Sequence, residues 1–340
     1  MPPTLKSSRW RVIASTQRGS SHVRQDLPNQ DAAKSFPEPS GDSPVSCGAP
    51  PVVLAVADGH GSAKSFRSKT GADFAVDVAV SVCREFLEDT REAASPSAIK
   101  SLAERQLPCR IVERWKETVE QHFQANPFQP EELERLDRDA GAGASQSLTR
   151  EGKHLTAYGS TLLVTAIGNG FIVYLQLGDG EILVVSDATG EVSQPIDRDP
   201  TLIANETTSL CMDKAQEEFR FHFQYLGGSL PGIVLLSTDG YPNSFRSRAG
   251  FLKVGADLLE MLRAEGGGDA IQRDLPGWLQ EATAAGSGDD ATVGIVYRME
   301  PRLALLGQGD AAGHAAAVPS ESSEAGPIAD GALDSGLAMS

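Results

Sequence analysis

The feature that most constrains the fold is an apolar run that stops at an acidic, glycine-rich turn. Residues 52–57 read Val-Val-Leu-Ala-Val-Ala, and Asp58-Gly59-His60-Gly61 follows at once. A short run rich in β-branched residues is typical of a buried strand rather than a helix. The glycines beside Asp58 let the backbone and a ligand approach each other closely. We therefore predict a buried strand whose end forms an ion-binding corner.

Other apolar runs also predict strands, and several of them lie next to aspartates. The runs cover residues 10–13, 160–167, 171–177, 181–186, 219–225, 233–237 and 291–298. Turn sequences separate the central runs, which predicts an antiparallel meander. Asp239-Gly240 follows one of the runs, Asp289-Asp290 precedes the last run, and Asp31 follows a polar loop.

Apolar residues at three- and four-residue spacing predict four helices in two pairs. The first helix lies between Phe66 and Leu87, and the second is entered after Pro108. The other two cover about residues 255–264 and 270–284. Strands combined with helix pairs indicate a layered α+β domain.

The domain is predicted to extend over residues 8–298. Residues 126–150 show no helical or strand period, and we expect them to form a mobile connection. Residues 299–340 are rich in Ala, Gly and Ser and hold few large apolar groups. Such a segment cannot offset its ordering entropy, so we expect a disordered tail.

Composition excludes several classes of partner. The chain has 46 acidic and 30 basic residues and a net charge of -16, which opposes binding to nucleic acid or to an anionic membrane. No segment approaches the ~20 apolar residues of a membrane span. The four cysteines are scattered without CxxC spacing, so neither a zinc site nor a disulfide framework is indicated. We predict a cytoplasmic protein that binds neither nucleic acid nor membranes.

Acidic turns at several strand ends indicate a metal site when they are taken together. Each Asp-Gly pair alone is more often a simple tight turn. Carboxylates that converge in a folded core repel one another unless a cation neutralises them. Ligand sets made only of oxygen favour hard ions such as Mg²⁺ or Mn²⁺. The pattern therefore predicts divalent cations bound by aspartates.

Six short motifs follow one another between about residues 10 and 297. They are Asn29-Gln30-Asp31-Ala32, Val56-Ala57-Asp58-Gly59-His60-Gly61, Gly159-Ser160-Thr161, Leu177-Gly178-Asp179-Gly180, Leu236-Ser237-Thr238-Asp239-Gly240 and Gly288-Asp289-Asp290-Ala291-Thr292-Val293. In type and order they resemble the type-2C, or PPM, family of metal-dependent serine/threonine protein phosphatases. The stretch Ser20-Ser21-His22 is closer to the bacterial branch of that family.

The resemblance implies a fold and a ligand set. The fold is α+β, a β-sandwich of two antiparallel sheets flanked by helix pairs in four αββα layers, with two or more Mg²⁺ or Mn²⁺ ions at one end. Asp58 would bridge two ions. The Gly59 carbonyl and Asp31 would complete one ion's site, and Asp239 and Asp289 would complete the other.

The resemblance also implies a reaction. A water made acidic by both cations would attack the phosphorus of a phosphoserine or phosphothreonine in a protein, which reverses a protein kinase. His60 would protonate the leaving oxygen, and Asp179 would help to hold a further, weaker ion. A phosphorylated protein is then the substrate, and a cognate kinase is a possible second partner.

Some residues keep two interpretations. His60 could instead be a turn residue bonded to the backbone, although its place beside Asp58 favours the acid role. Asp290 is more typical of a supporting position than of a ligand. His22 and Arg24 are equally consistent with solvated loop residues and with cations that hold the substrate phosphate. Many family members place a phosphate-binding Arg just before the Asn-x-Asp element, whereas Arg24 is the nearest basic residue here.

Two other functions stay open. A catalytically silent binding domain on the same fold is suggested by the altered phosphate-anchoring loop and by residues 126–150, which match no motif. A phosphatase for small phosphoesters would share the metal chemistry and differ only in its substrate.

Overall fold

Eleven strands form two antiparallel sheets in the part of the chain that the computed structural model describes, residues 9–38, 46–92, 95–150, 152–197, 207–227 and 230–299. The strands are β1 (Arg9–Gln17), β2 (Ala32–Phe36), β3 (Ser46–Gly48), β4 (Val52–Ala57), β5 (Leu162–Gly168), β6 (Phe171–Leu177), β7 (Glu181–Ser186), β8 (Val192–Ser193), β9 (Arg220–Tyr225), β10 (Pro231–Ser237) and β11 (Ala291–Met299). The six-stranded sheet has the order β3-β1-β11-β10-β7-β8, and the five-stranded sheet has the order β2-β4-β5-β6-β9.

The inner faces of the two sheets pack against each other. Trp10 of β1, Leu54 of β4, Ile172 of β6 and Leu236 of β10 belong to one buried cluster between the sheets. Gly294 of β11 lies close to the facing sheet, because a Cβ there would lie 2.7 Å from a methyl carbon of Leu54 in β4. Alternate side chains of each strand fill this layer, as in other β-sandwiches.

Helices cover both outer faces. The seven helices among the described residues are α1 (Ser20–Gln25), α2 (Ser68–Asp89), α3 (Pro96–Ala125), α4 (Pro130–Ala140), α5 (Ala144–Leu148), α6 (Arg248–Arg263) and α7 (Gly267–Ala285). Helices α2 and α3 pack on the five-stranded sheet, and α6 and α7 pack on the six-stranded sheet. The prediction of an αββα sandwich with flanking helix pairs is confirmed.

The prediction of a meander is wrong, because consecutive strands alternate between the sheets. Strands β5 and β6 pair in the five-stranded sheet, but β7 lies in the other sheet. The chain then returns to the first sheet with β9 and leaves it again with β10. Strands β5, β6 and β10 are buried on both faces, so their apolar runs carry no signal that assigns them to one sheet.

The second helix begins earlier than predicted. Helix α3 starts at Pro96 after Ser95, whose side chain accepts a hydrogen bond from the N–H of Ala98 at 3.5 Å. Pro108, which was predicted to precede the helix, lies buried inside it. The sequence Ser-Pro is therefore the true start signal, since Pro suits the first position of a helix.

The prediction of a mobile connection at residues 126–150 is also wrong, because these residues form α4 and α5. Gln129 and Glu132 form a capping box at the start of α4, and Pro130 occupies its first turn. Arg67, just before α2, donates to Glu132 at 2.6 and 2.8 Å and so ties α4 to the body of the domain. The polar loop before Asp31 likewise contains the short helix α1.

Two predictions made from composition concern membranes and the tail. Among the described residues, none of the helices combines the length and the apolar character that a membrane crossing needs. The predicted tail, residues 299–340, lies outside the described residues apart from Met299, which ends β11.

Candidate active site

Strand ends from both sheets meet at one end of the sandwich. Ala32 at the start of β2 pairs with Ala57 at the end of β4. In the other sheet, Ser237 at the end of β10 pairs with Glu181 at the start of β7. Antiparallel neighbours end and begin together, so the turns just beyond these strands lie side by side.

Asp58 stands within an acidic cluster that also contains Asp31, Asp179, Asp239 and Asp289. Burial raises the pKa of Asp58 well above its usual range, and the negative charges of the other four aspartates raise it further. The structure thus brings together all five aspartates that the sequence analysis named as metal ligands. Their role as ligands stays a prediction.

Asp31 is the most deeply buried member of the acidic cluster, with 1% of its surface exposed. Its Oδ2 accepts a hydrogen bond from the hydroxyl of Thr238 at 2.7 Å. Its Oδ1 is buried and has no hydrogen-bond partner among the described residues. Burial raises the pKa of Asp31 to about 8, and the charges of Asp290 and Asp239 add to that shift. A buried carboxylate oxygen without a partner calls for a cation or a donor.

Asp239 is held close to the turn that carries Asp289. Burial raises the pKa of Asp239 to about 6, with further contributions from the charges of Asp179 and Asp289. A Cβ on Gly240 would lie 1.9 Å from the carbonyl oxygen of Asp290. Only glycine therefore allows the two acidic turns to pack backbone against backbone.

Asp289 and Asp179 lie nearer to solvent than Asp31. The side chain of Asp289 is 52% exposed, and Asp179 is partly buried. The acidic cluster therefore grades from a buried floor to an exposed rim, as an open metal site requires.

Gly59 and His60 form the turn beside Asp58. A Cβ on Gly59 would lie 2.8 Å from the carbonyl oxygen of Gln30, so this position has no room for a side chain. The N–H of His60 donates to the carbonyl of Gly159 at 3.1 Å, and Nε2 is buried without a hydrogen-bond partner among the described residues. Burial lowers the pKa of His60, and the charge of Asp179 opposes that shift. The imidazole is thus fixed beside the acidic cluster with one ring nitrogen available.

Asp290 lies beside Asp289, but its oxygens are already used. Oδ1 accepts from the N–H of Gly19 at 2.6 Å, and Oδ2 accepts from the N–H of Gln30 at 2.6 Å. The side chain is 3% exposed. These bonds favour a supporting role over metal ligation, as the sequence analysis preferred.

The two cations predicted to hold phosphate both lie on α1. Nδ1 of His22 is 2.9 Å from Oδ2 of Asp290, and Nε2 is 3.5 Å from Oδ1 of Asp289. Arg24 donates to the hydroxyls of Ser21 at 3.0 Å and Ser20 at 3.4 Å. His22 therefore contacts the acidic turn, whereas Arg24 bonds to its own helix. Binding of phosphate by either residue stays a prediction.

The donor set fits hard divalent cations. The residues brought together supply carboxylate oxygens and a backbone carbonyl, which are the ligands that Mg²⁺ and Mn²⁺ prefer. The buried and unpartnered Oδ1 of Asp31 points to the same conclusion. Within the described ranges, no three His, Cys, Asp or Glu side chains lie close enough together to hold a metal ion in this arrangement.

Comparison with known proteins settles the family. The family model described as "Protein phosphatase 2C" matches residues 18–280. The chain belongs to this family. None of the curated proteins matches the chain.

The solved structures that this chain resembles are only distantly similar to it in sequence. A bacterial serine phosphatase is 15% identical, with 85% of this chain and 97% of that chain covered and a TM-score of 0.48. PppA from Pseudomonas aeruginosa, described as a key regulatory component of T6SS, is 18% identical over 85% of this chain and 98% of that one, with a TM-score of 0.48. The catalytic domain of PstP, solved with two manganese ions, is 16% identical over 86% and 100%, with a TM-score of 0.47.

Membership of the family establishes the reaction that the protein catalyses. This protein phosphatase 2C is a hydrolase that removes phosphate from serine and threonine residues of proteins, and it uses Mg²⁺ or Mn²⁺.

Proposed function

We propose that the acidic cluster is the catalytic metal centre of this phosphatase. Asp58, Asp31 and the Gly59 carbonyl would hold one divalent cation, and Asp58, Asp239 and Asp289 would hold a second. Asp179 helps to hold a further ion. The observation that carries the proposal is the buried Oδ1 of Asp31, which has no partner among the described residues, beside the closely packed turns of Asp239 and Asp289.

The residues of the site divide the work between them. Bound cations would lower the pKa of a water and offset the charge of the phosphate. The carboxylates fix where those cations lie, and the buried side chain of Asp31 keeps bulk water from that side of the site. Because Thr238 already holds Oδ2 of Asp31, the free Oδ1 is the atom offered to a cation.

His60 is proposed to donate a proton to the leaving serine or threonine oxygen. Its backbone is held by Gly159, and its Nε2 has no other partner among the described residues. Burial favours the neutral ring, whereas Asp179 and a bound phosphate would both favour the protonated form. The proton transferred at Nε2 is then restored from solvent.

Arg24 is the proposed phosphate-binding cation on α1, with His22 as the second candidate. Arg24 has an exposed side chain whose present partners are neutral hydroxyls, so it can turn toward an anion. His22 is less available, because both of its ring nitrogens face carboxylates.

The biological setting is also part of the proposal. The catalytic domain covers residues 8–298, and the phosphoprotein substrate is one that a cognate kinase modifies in the cytoplasm during signalling. The acidic net charge of -16 supports a protein substrate over nucleic acid.

Hydrolysis assays test the proposal. We would measure release of phosphate from a phosphothreonine peptide and from p-nitrophenyl phosphate, with Mn²⁺, with chelator, and with the Asp239→Asn variant. Metal-dependent release that the substitution abolishes is expected. Folded protein that binds the peptide without hydrolysing it would indicate a silent binding domain, and release only from sugar phosphates or nucleotides would indicate a small-molecule phosphatase.

A further inference from the structure

Asp290 and His22 connect the two halves of the proposed metal centre. Asp31 precedes β2 in the five-stranded sheet, whereas Asp289 precedes β11 in the six-stranded sheet. Oδ2 of Asp290 accepts from the N–H of Gln30, the residue before Asp31. The same oxygen lies 2.9 Å from Nδ1 of His22, a close contact without hydrogen-bond geometry, and Nε2 of His22 faces Asp289. We infer that His22 and Asp290 are positioning residues that set the spacing between Asp31 and Asp289 and so tune metal affinity.

The contacts of Asp290 require a carboxylate. Its two oxygens accept from two different backbone donors, the N–H groups of Gly19 and Gln30, both at 2.6 Å. An Asn side chain of the same shape has one acceptor oxygen and one NH₂ group. Either orientation of that amide would turn its NH₂ toward a backbone N–H, and a buried donor would lose its partner.

Helix α1 is anchored where His22 can act on Asp289. The N–H of Ser21 donates to the carbonyl of Gly288 at 2.8 Å, and the N–H of Ser20 donates to the hydroxyl of Thr283 at 3.1 Å. That hydroxyl in turn donates to the carbonyl of Asp289 at 2.7 Å. These bonds therefore join the helix to the acidic turn, and the side chain of His22 is 12% exposed.

The consequence concerns the metal more than the substrate. Asp289 is half exposed, and its Oδ1 also accepts from the N–H of Asp290 at 2.8 Å. Without His22, an exposed carboxylate loses the ring packed beside it and samples more rotamers. Groups that orient metal ligands change metal affinity or activity by about 10- to 100-fold when they are removed.

The inference rests on the proposed metal centre. Measuring Mn²⁺ binding distinguishes failure of the inference from failure of the metal centre. We would titrate Mn²⁺ into the chelator-treated full chain by calorimetry, comparing wild type with His22→Ala, His22→Asn and Asp290→Asn. Val23→Ala is the matched control, because Val23 lies on the same helix with 57% exposure and belongs to no site. The melting temperature without metal reports whether each variant is folded.

We expect His22→Ala and Asp290→Asn to weaken Mn²⁺ binding by about tenfold or more. The KM of Asp290→Asn for a phosphothreonine peptide at saturating Mn²⁺ should stay near the wild-type value. His22→Asn keeps a polar group near the position of Nδ1, beside the carboxylate of Asp290, and should recover part of the affinity. Val23→Ala should bind Mn²⁺ as wild type does. If Asp290→Asn does not fold, His22→Ala and its rescue by His22→Asn decide the question.

Unchanged Mn²⁺ affinity in His22→Ala, together with a raised KM for the peptide, would overturn the inference and make His22 a phosphate ligand. Equal losses in His22→Ala and His22→Asn would also contradict it, because the polar contact of Nδ1 with Asp290 would then have no role. Failure of the wild-type protein to bind Mn²⁺ would instead overturn the metal centre itself.

Discussion

The middle of the sandwich and its acidic end are built from the same strands, but burial has opposite effects in the two regions. In β4, residues 52–57 are wholly buried, and their burial stabilises the fold. One residue further on, burial raises the pKa of Asp58 and disfavours its charged form. The strands therefore stabilise the domain, and the buried charges in the turns beyond them offset part of that stability.

The two regions also differ in which kinds of buried polar atom lack a partner. In the core, Oγ1 of Thr165 in β5 is a buried hydroxyl without a hydrogen-bond partner among the described residues. In the acidic cluster, Oδ1 of Asp31 and Nε2 of His60 are buried without partners among the described residues. An unpaired buried carboxylate oxygen costs more than an unpaired hydroxyl, so Oδ1 of Asp31 marks the place where a ligand is expected.

The largest expected effect comes from removing the central charge. Asp58→Asn should lower turnover of p-nitrophenyl phosphate on the order of a thousandfold, since metal ions contribute several kcal/mol of charge stabilisation and ~1.4 kcal/mol equals tenfold. The same variant should be at least as stable as wild type without metal, because one repelling charge is gone. Activity and urea unfolding measured on the same sample check both statements. Near-normal turnover would place the metal elsewhere.

A substitution in the core should instead lower the stability of the protein. Leu54→Ala removes a side chain that is wholly buried between the sheets, and we expect a loss of about 2–5 kcal/mol in the free energy of unfolding. Saturating Mn²⁺ should leave that loss unchanged, because the core and the acidic cluster act independently. Urea unfolding with and without Mn²⁺ measures it. A loss that Mn²⁺ erases would show that the two regions are not separate.

Metal should stabilise the acidic end alone. At a Mn²⁺ concentration about 100 times its Kd, the free energy of unfolding should rise by about 2.7 kcal/mol over the chelated protein. Asp58→Asn should show little of this gain. The midpoint of urea unfolding provides the measurement, and an equal gain in wild type and variant would mean that Mn²⁺ binds outside the acidic cluster.

The smallest expected effect separates two glycines of the same turn. Gly59→Ala should cost about 1–3 kcal/mol and most of the activity, because the added carbon would lie 2.8 Å from the carbonyl oxygen of Gln30. Gly61→Ala is the matched control, since the nearest atom to its added carbon is 3.9 Å away. Thermal unfolding and p-nitrophenyl phosphate turnover distinguish the two. Equal damage at both positions would mean that the turn tolerates no side chain for another reason.

Local sequence patterns predicted much of the scaffold. Strands β6 and β7 lie where their apolar runs predicted them, and the helix with Phe86 and Leu87 on its apolar face is α2. Patterns failed where tertiary contacts decide the structure. Helix α4 has few apolar residues and is held partly by Arg67, which lies 65 residues away from Glu132 in the sequence.

The aspartates of the acidic cluster were predictable from the sequence, but the residues that hold them in place were not. Asp-Gly turns after apolar strands named Asp58 and Asp239 directly. The bond between Gly19 and Asp290 joins residues 271 positions apart, and no local pattern marks either residue for the other. Such contacts exist only once two sheets and α1 have been assembled.

The most direct test of the account is the number of Mn²⁺ ions that the chelator-treated full chain binds. Calorimetric titration should give two or more ions per chain in wild type and a loss of binding in Asp58→Asn, which removes the proposed bridge. No binding to folded wild-type protein, or equal stoichiometry and affinity in the variant, would contradict the claim that the acidic end of the sandwich is a metal centre.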